Sequence, residues 1–254
     1  MRKLFSLITL VLLLASCGGS KSYTISGNID IENIKDGDTI SLGYSVDGTE
    51  FTPETFAVVK DGKFEFTGNV EDCKLYYLVN KATEEPLAIV FLEGGNIAAE
   101  LSNDKCLISG TSSNDIYTTL QEELTVQVAK LQENQMKLYL DTTLTDEQRE
   151  VIQKELQTIS EQAQEVATKF IKENIKTMPA LFMLVQCANM FNNEELDALV
   201  AEIPEENKNA DNNCLFSVLE EIQEQRNNPQ DFSDYFKQVE ENTDTTATEK
   251  NEEK

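Results

Sequence analysis

The sequence contains no histidine, and only 21 of its 254 residues are lysine or arginine, against 46 aspartates and glutamates. Without histidine, Ser-His-Asp and Cys-His catalysis and every imidazole-based metal site are excluded. The net charge of −25 disfavours nucleic-acid binding, which needs clustered Lys and Arg to neutralise phosphates. We therefore expect a protein that is not an enzyme, with no cofactor or metal site and no nucleic-acid partner.

The five cysteines form no Cys-x-x-Cys pair, and thioredoxin-type chemistry needs two close thiols of which one is strongly acidified. Apart from Cys17, the cysteines are even in number, which is compatible with structural disulfides in an oxidising compartment. Cys73 and Cys106 form the candidate pair, and Cys187 lies in an apolar segment where a buried, inert thiol is expected. The remaining cysteine is Cys214.

The N-terminal segment has the order of a secretory signal. Arg2 and Lys3 precede an apolar run from Leu4 to Leu14, and two small residues follow it before Cys17. The run is shorter than the roughly 20 residues that a permanent membrane span needs. We therefore predict that residues 1–16 are a removable signal peptide.

Leu14, Ala15, Ser16 and Cys17 resemble the lipobox of bacterial lipoproteins. The resemblance implies that Cys17 carries lipid and anchors the chain to an envelope membrane, whereas the alternative is an ordinary signal peptide with a chance cysteine. Gly18 stands where an aspartate retains many lipoproteins in the inner membrane, so the resemblance favours the outer membrane. Residues 17–22, the expected lipidated linker, lack an acidic export cluster, which favours the periplasmic side.

Short alternating segments rich in β-branched and aromatic residues run from Tyr23 to Thr111. About seven to nine such segments between turn residues are typical of an antiparallel β-sandwich or a partly open barrel. Asp61 and Gly62 supply the positive φ angles of a tight hairpin. We predict an α+β protein with a β domain at residues 23–111. One face of the first strand is predicted to hold Tyr23, Ile25, Gly27, Ile29 and Ile31.

The hydrophobic period becomes helical after Gly110. A first helix capped by Ser113 or Asn114 and a second one, opened by the Thr145 and Gln148 capping box, form a long αα-hairpin with coiled-coil character. The hairpin serves either ordinary core packing or an exposed seam for a partner helix. Its apolar positions are Leu120, Leu124, Val128, Leu131 and Leu138, then Ile152, Leu156, Ile159, Ala163, Val166 and Phe170.

Three more helices complete a helical domain predicted at residues 113–227. Pro179 begins the third helix, Asn192 with Glu195 caps the fourth, and Leu215 to Ile222 mark the fifth. Residues 228–254 are predicted to be an acidic, disordered tail because apolar residues become rare there.

Four segments resemble one known domain: Tyr23–Ile29, Lys60–Gly68, Phe91–Ile97 and Ile108–Asp115. It is the β-rich domain of unknown function that precedes thioredoxin-like, peroxiredoxin-type domains in envelope lipoproteins of anaerobic Gram-negative bacteria. Phe170 to Leu184 resembles the connector of that family more loosely. The sequence carries no Cys-x-x-Cys after this connector, so the resemblance transfers no active-site residue.

Three functions are consistent with these features. The leading hypothesis is a non-catalytic, membrane-anchored lipoprotein that acts as an interaction or scaffold module for another envelope protein. The second is a binding protein for a small ligand or glycan, using aromatic side chains on the sandwich, although core packing of those side chains is the more ordinary interpretation. The third is a non-catalytic accessory to thiol-disulfide exchange. The aromatic candidates are Tyr44, Phe51, Tyr76 and Tyr77.

Overall fold

The structure is a computed structural model that describes residues 20–45, 50–208 and 214–227. The predicted signal peptide, Cys17 and the predicted tail at 228–254 lie outside the described residues, as does the side chain of Cys214. None of the described helices is long and apolar enough to cross a membrane.

The described residues contain eight strands, which form two four-stranded sheets that face each other and do not close into a barrel. The first sheet has the order β4-β1-β7-β8 and the second the order β3-β2-β5-β6. The strands are β1 (Lys21–Asp30), β2 (Thr39–Ser45), β3 (Phe51–Val58), β4 (Lys63–Val70), β5 (Lys74–Asn80), β6 (Pro86–Leu92), β7 (Gly95–Ser102) and β8 (Cys106–Ser109).

The predicted α+β class and sandwich are confirmed, with one correction to the strand directions. All neighbouring strands are antiparallel except β1 and β7, which run parallel from Tyr23 beside Gly95 to Asp30 beside Ser102. A parallel pair needs a long crossover, and here that crossover contains β4 and the whole second sheet. The alternation predicted for β1 is confirmed, since Tyr23, Ile25 and Ile29 are buried.

The predicted Asp61-Gly62 turn is confirmed, but the hairpin around it is wrong. Asp61 and Gly62 have φ angles of 52° and 67°, and Lys60 and Lys63 exchange two backbone hydrogen bonds. The flanking strands then separate, because β3 joins the second sheet whereas β4 pairs with β1 in the first. Turn chemistry therefore fixed the local bend and not the strand partner.

In the described part of the chain after the sandwich there are six helices and one short 3-10 turn. They are α1 (Ser112–Leu140), α2 (Asp146–Asn174), α3 (Met178–Gln186), the 3-10 turn (Ala188–Met190), α4 (Asn193–Glu202), α5 (Glu205–Lys208) and α6 (Cys214–Asn227). Both predicted capping boxes, at Thr145 and Asn192, are present. Pro179 lies in the first turn of α3, as predicted.

The predicted cap of α1 is wrong. The N-cap is Thr111, whose side chain makes no capping hydrogen bond. Ser113 and Asn114 lie inside the first turn, and their side chains bind the sandwich instead. A short polar side chain at a helix start satisfies either its own helix or a neighbour, and here the neighbour is preferred.

Two hydrophobic cores share the second sheet. The first core fills the space between the sheets and includes Tyr76 and Leu78 of β5. The second lies between the other face of that sheet and the helices, where Leu75 and Phe91 pack against residues such as Ile171 and Leu181. Strand β5 is therefore buried on both faces, and the sandwich and the helices pack as one continuous body.

Candidate functional site

The junction between the sandwich and α1 is fixed by one buried amide. Asn114 is 1% exposed. Its Oδ1 accepts the Phe91 N–H at 3.0 Å, and its Nδ2 donates to the Phe91 carbonyl at 2.8 Å and to Thr111 Oγ1 at 2.8 Å. Because β6 is an edge strand, the amide supplies the partner that a further strand would otherwise provide.

A carboxylate next to this amide accepts hydrogen bonds from the first turn of α1. Glu93 accepts hydrogen bonds from the backbone N–H of Ser113 at 2.7 Å and from its hydroxyl at 3.0 Å. A carboxylate at a helix N-terminus is favoured by the free N–H groups and the helix dipole. The start of α1 is therefore held to the sheet by hydrogen bonds from two consecutive residues.

Three aromatic rings complete the junction. The ring of Phe91 lies edge-on to Tyr117 at 5.2 Å and to Phe182 at 6.2 Å, and the last two rings are 5.8 Å apart. Burial raises the pKa of Tyr117 to about 12. The base of the helical hairpin is thus rigidly placed relative to the sandwich.

Beyond this base the hairpin projects away from the rest of the protein. Residues 121–166, all of them described and here called the arm, contain no buried side chain. Even the inward-facing positions Leu124, Leu131, Ile152 and Leu156 remain partly exposed. From residue 121 to residue 140 the first helix of the arm is about 30 Å long.

The tip of the arm is well capped despite its exposure. Arg149 donates from Nη1 to the Leu138 carbonyl at 3.1 Å and from Nη2 to the Asp141 carbonyl at 3.0 Å. Asp141 accepts hydrogen bonds from the backbone and hydroxyl of Thr143, which lower the pKa of its carboxyl group. The two hydrogen bonds from Arg149 satisfy carbonyl groups at the end of α1. The arm is therefore a defined hairpin rather than a loose extension.

The arm concentrates the exposed apolar surface. Of the nine large hydrophobic side chains that are exposed among the described residues, six lie on the arm. Tyr139 is 86% exposed. Exposed apolar residues grouped on one element mark an interaction site more often than isolated ones. The six are Val126, Val128, Met136, Tyr139, Leu140 and Val151.

The described cysteines are free thiols with separate partners. Cys73 Sγ donates to Ser113 Oγ at 3.5 Å, and Cys106 Sγ donates to the Ser102 carbonyl at 3.5 Å. Cys187 is buried, as predicted, and burial raises the pKa of its thiol. A disulfide between Cys73 and Cys106 stays a prediction.

We expect Cys73 to react slowly with alkylating reagents. Burial raises the pKa of its thiol to about 12, although the hydrogen bond to Ser113 opposes this shift. Near neutral pH the thiolate fraction should be about a thousandfold below that of an ordinary cysteine, and it should rise as the pH approaches 12. Mass spectrometry of N-ethylmaleimide adducts, with and without reductant, measures this rate and counts any disulfides. Alkylation as fast as that of free glutathione would contradict the expectation.

The three candidate tyrosines lie on two faces of the second sheet, and Phe51 pairs with Ser45 at the start of β3. Tyr44 and Tyr76 lie 5.6 Å apart on the side of the inter-sheet core, whereas Tyr77 packs against the helical core. The Tyr76 hydroxyl donates to Glu54, and burial together with this bond raises the pKa of Tyr76.

Among the described residues, no three His, Cys, Asp or Glu side chains lie close enough to hold a metal ion.

A match to a known family covers the sandwich and the start of α1. Residues 23–117 match a family described as Domain of unknown function (DUF4369). The matched segment covers all eight strands except the first two residues of β1, and it ends at Tyr117 in the second turn of α1. The matched segment agrees with the resemblance to a β-rich domain of unknown function that the sequence showed from Tyr23 to Asp115. No curated protein matches the chain.

Proposed function

We propose that this chain, whose residues 23–117 form a DUF4369 domain, is a non-catalytic lipoprotein of the bacterial envelope that acts as an interaction module. The sandwich serves as the platform, and the arm is the element that contacts another envelope protein. The observation that carries this proposal is the arm itself, with no buried residue between positions 121 and 166 and six exposed apolar side chains.

The apolar surface that the arm exposes to water is unfavourable in free energy, and a bound partner would cover it. In an isolated two-helix hairpin, each inward-facing side chain is covered only by the opposite helix and stays accessible to solvent on its two sides. The leucines and isoleucines of the arm are therefore partly exposed to water. Burying apolar surface contributes roughly 25 cal/mol per Å². A partner that covers one flank of the arm would therefore be bound by surface that the folded chain leaves exposed.

The anchor proposed at Cys17 places this platform close to a membrane. Cys17 and the first residue of β1, Lys21, are four residues apart, a span of at most about 14 Å. Lipid with two or more acyl chains gives stable attachment, and the sequence around Cys17 favours the periplasmic side of the outer membrane. The partner sought is therefore a protein of the same compartment.

Photo-crosslinking tests the proposal at two matched aromatic positions. A benzophenone amino acid replaces Tyr139, which is 86% exposed on the arm, or Phe56, which is 49% exposed on the sandwich. In intact cells we expect irradiation to join the Tyr139 variant to one other envelope protein, with at least a tenfold weaker adduct from the Phe56 variant. Equal adducts from both positions, or none from Tyr139, would overturn the proposal.

A further inference from the structure

One flank of the arm is open along its whole length. On α1 the side chains of Ile116, Thr119, Glu123, Lys130 and Lys137 line two successive grooves between the helices. Their spacing places them on one stripe of the helix. The larger groove, near the tip, has a volume of about 660 Å³. We call this stripe, with its counterpart from Val151 to Glu173 on α2, the groove face.

The sandwich lies on the other side of α1. Thr118 donates to the Ile108 carbonyl at 2.6 Å, Tyr117 packs on Phe91, and Gln121 lines a pocket together with Cys106 and Ile108 of β8. These three residues occupy the side of the helix away from the groove face. A second molecule could therefore approach the groove face from base to tip without meeting the platform.

Charge on the groove face changes sign along the arm. Near the tip it carries Lys130, Lys137 and Lys154 against Glu133 and Glu155. Near the base it carries a single lysine, Lys169, against Glu123 and Glu173. The tip is thus slightly positive and the base slightly negative, in a chain whose overall charge is −25.

In a dimer with a two-fold axis, the charge pattern of one groove face is complementary to that of the other. We propose that the groove face binds a second copy of this chain, with the two arms antiparallel and together forming a four-helix bundle. The tip of each arm then lies on the base of the other, so lysines meet glutamates, as the isologous contact of a two-fold dimer requires. Exposed ion pairs contribute little affinity and mainly set the register.

The area of the groove face is adequate for such a dimer. From Ile116 to Lys137 it is about 32 Å long, and two packed helices are roughly 20 Å wide. Each copy would bury about 640 Å², or roughly 1,300 Å² in total, which lies within the range of specific protein interfaces. Apolar contacts would come from Ile159 and from Val126 and Val151, which are 57% and 55% exposed.

Val126 lies midway between Ile116 and Lys137, so a two-fold axis would pass beside it. This inference goes beyond the proposed envelope partner, because it assigns Val126 and Val151, two of the six exposed apolar side chains of the arm, to a second copy of the chain and leaves Val128 and Tyr139 for the envelope partner. Val128 and Tyr139 are eleven residues apart and share one line of α1, about 200° around the helix from Val126. Val128 is 45% exposed and therefore provides a matched control for Val126.

Disulfide trapping tests the dimer in the full chain. We expect Val126→Cys to give a crosslinked species of twice the chain mass after mild oxidation, with a yield at least tenfold above that of Val128→Cys. The unchanged chain controls for its own cysteines. No such species from Val126→Cys, or equal yields from the two variants, would overturn the proposal.

A second measurement does not depend on disulfide geometry. In sedimentation velocity, Val126→Arg should weaken dimerisation at least tenfold, whereas Val128→Arg should leave it unchanged. Circular dichroism checks that both variants fold. A dimer that survives Val126→Arg would contradict the antiparallel arrangement. Failure here, with a Tyr139 adduct to another protein still present, would remove the dimer and keep the proposed function.

Discussion

Replacing Asn114 with alanine should lower the free energy of unfolding by about 3–5 kcal/mol. The substitution removes three hydrogen bonds and leaves the N–H and carbonyl of Phe91 buried without a partner. Each unsatisfied buried group costs about 1–3 kcal/mol. Urea denaturation followed by circular dichroism measures the change.

The matched control for this substitution is Asn134→Ala on the same helix. Asn134 makes one long hydrogen bond, 3.4 Å, to Glu155 on the exposed arm. We expect its loss to cost about 0.5 kcal/mol or less. If the two alanine variants were equally stable, Asn114 would not be the link between the sandwich and α1.

Replacing Phe91 with alanine should cost about 3–5 kcal/mol, the usual range for a buried phenylalanine. Phe91 is fully buried and contacts both Tyr117 and Phe182. Its removal opens a cavity where the second sheet, α1 and α3 meet. The same denaturation experiment measures the loss.

Phe56→Ala provides the comparison on an exposed strand position. Phe56 is 49% exposed, and its ring lies 4.2 Å from the Lys81 ammonium. An exposed cation–π contact contributes about 0.5–1 kcal/mol, so the expected loss is of that size. A Phe91→Ala variant no less stable than Phe56→Ala would contradict the role of Phe91 in packing the second sheet against α1 and α3.

Local features of this fold could be predicted from the sequence. The alternation in β1, the Asp61-Gly62 turn and the two capping boxes each depend on residues that are close in the chain. The αα-hairpin followed from spacings of three and four in its leucines and isoleucines. Such patterns report the face that a segment buries, and the prediction was wrong at Val128, which is 45% exposed.

Long-range pairing could not be predicted in the same way. Nothing local distinguishes a β4 that pairs with β3 from one that pairs with β1, and the parallel β1 and β7 pair joins segments about 70 residues apart. Asn114 has the residue type of a helix cap, and only the nearby free edge of β6 gives it another role. The exposure of the arm likewise depends on what the rest of the chain leaves uncovered.

Photo-crosslinking in intact cells, comparing position 139 with position 56, tests whether the arm is the interaction element. Mass spectrometry of the adducts separates a second copy of the chain from a different protein. We expect one envelope protein joined to position 139 and at least tenfold less adduct at position 56. An adduct that forms equally from the sandwich, or an arm that crosslinks to nothing, would contradict it.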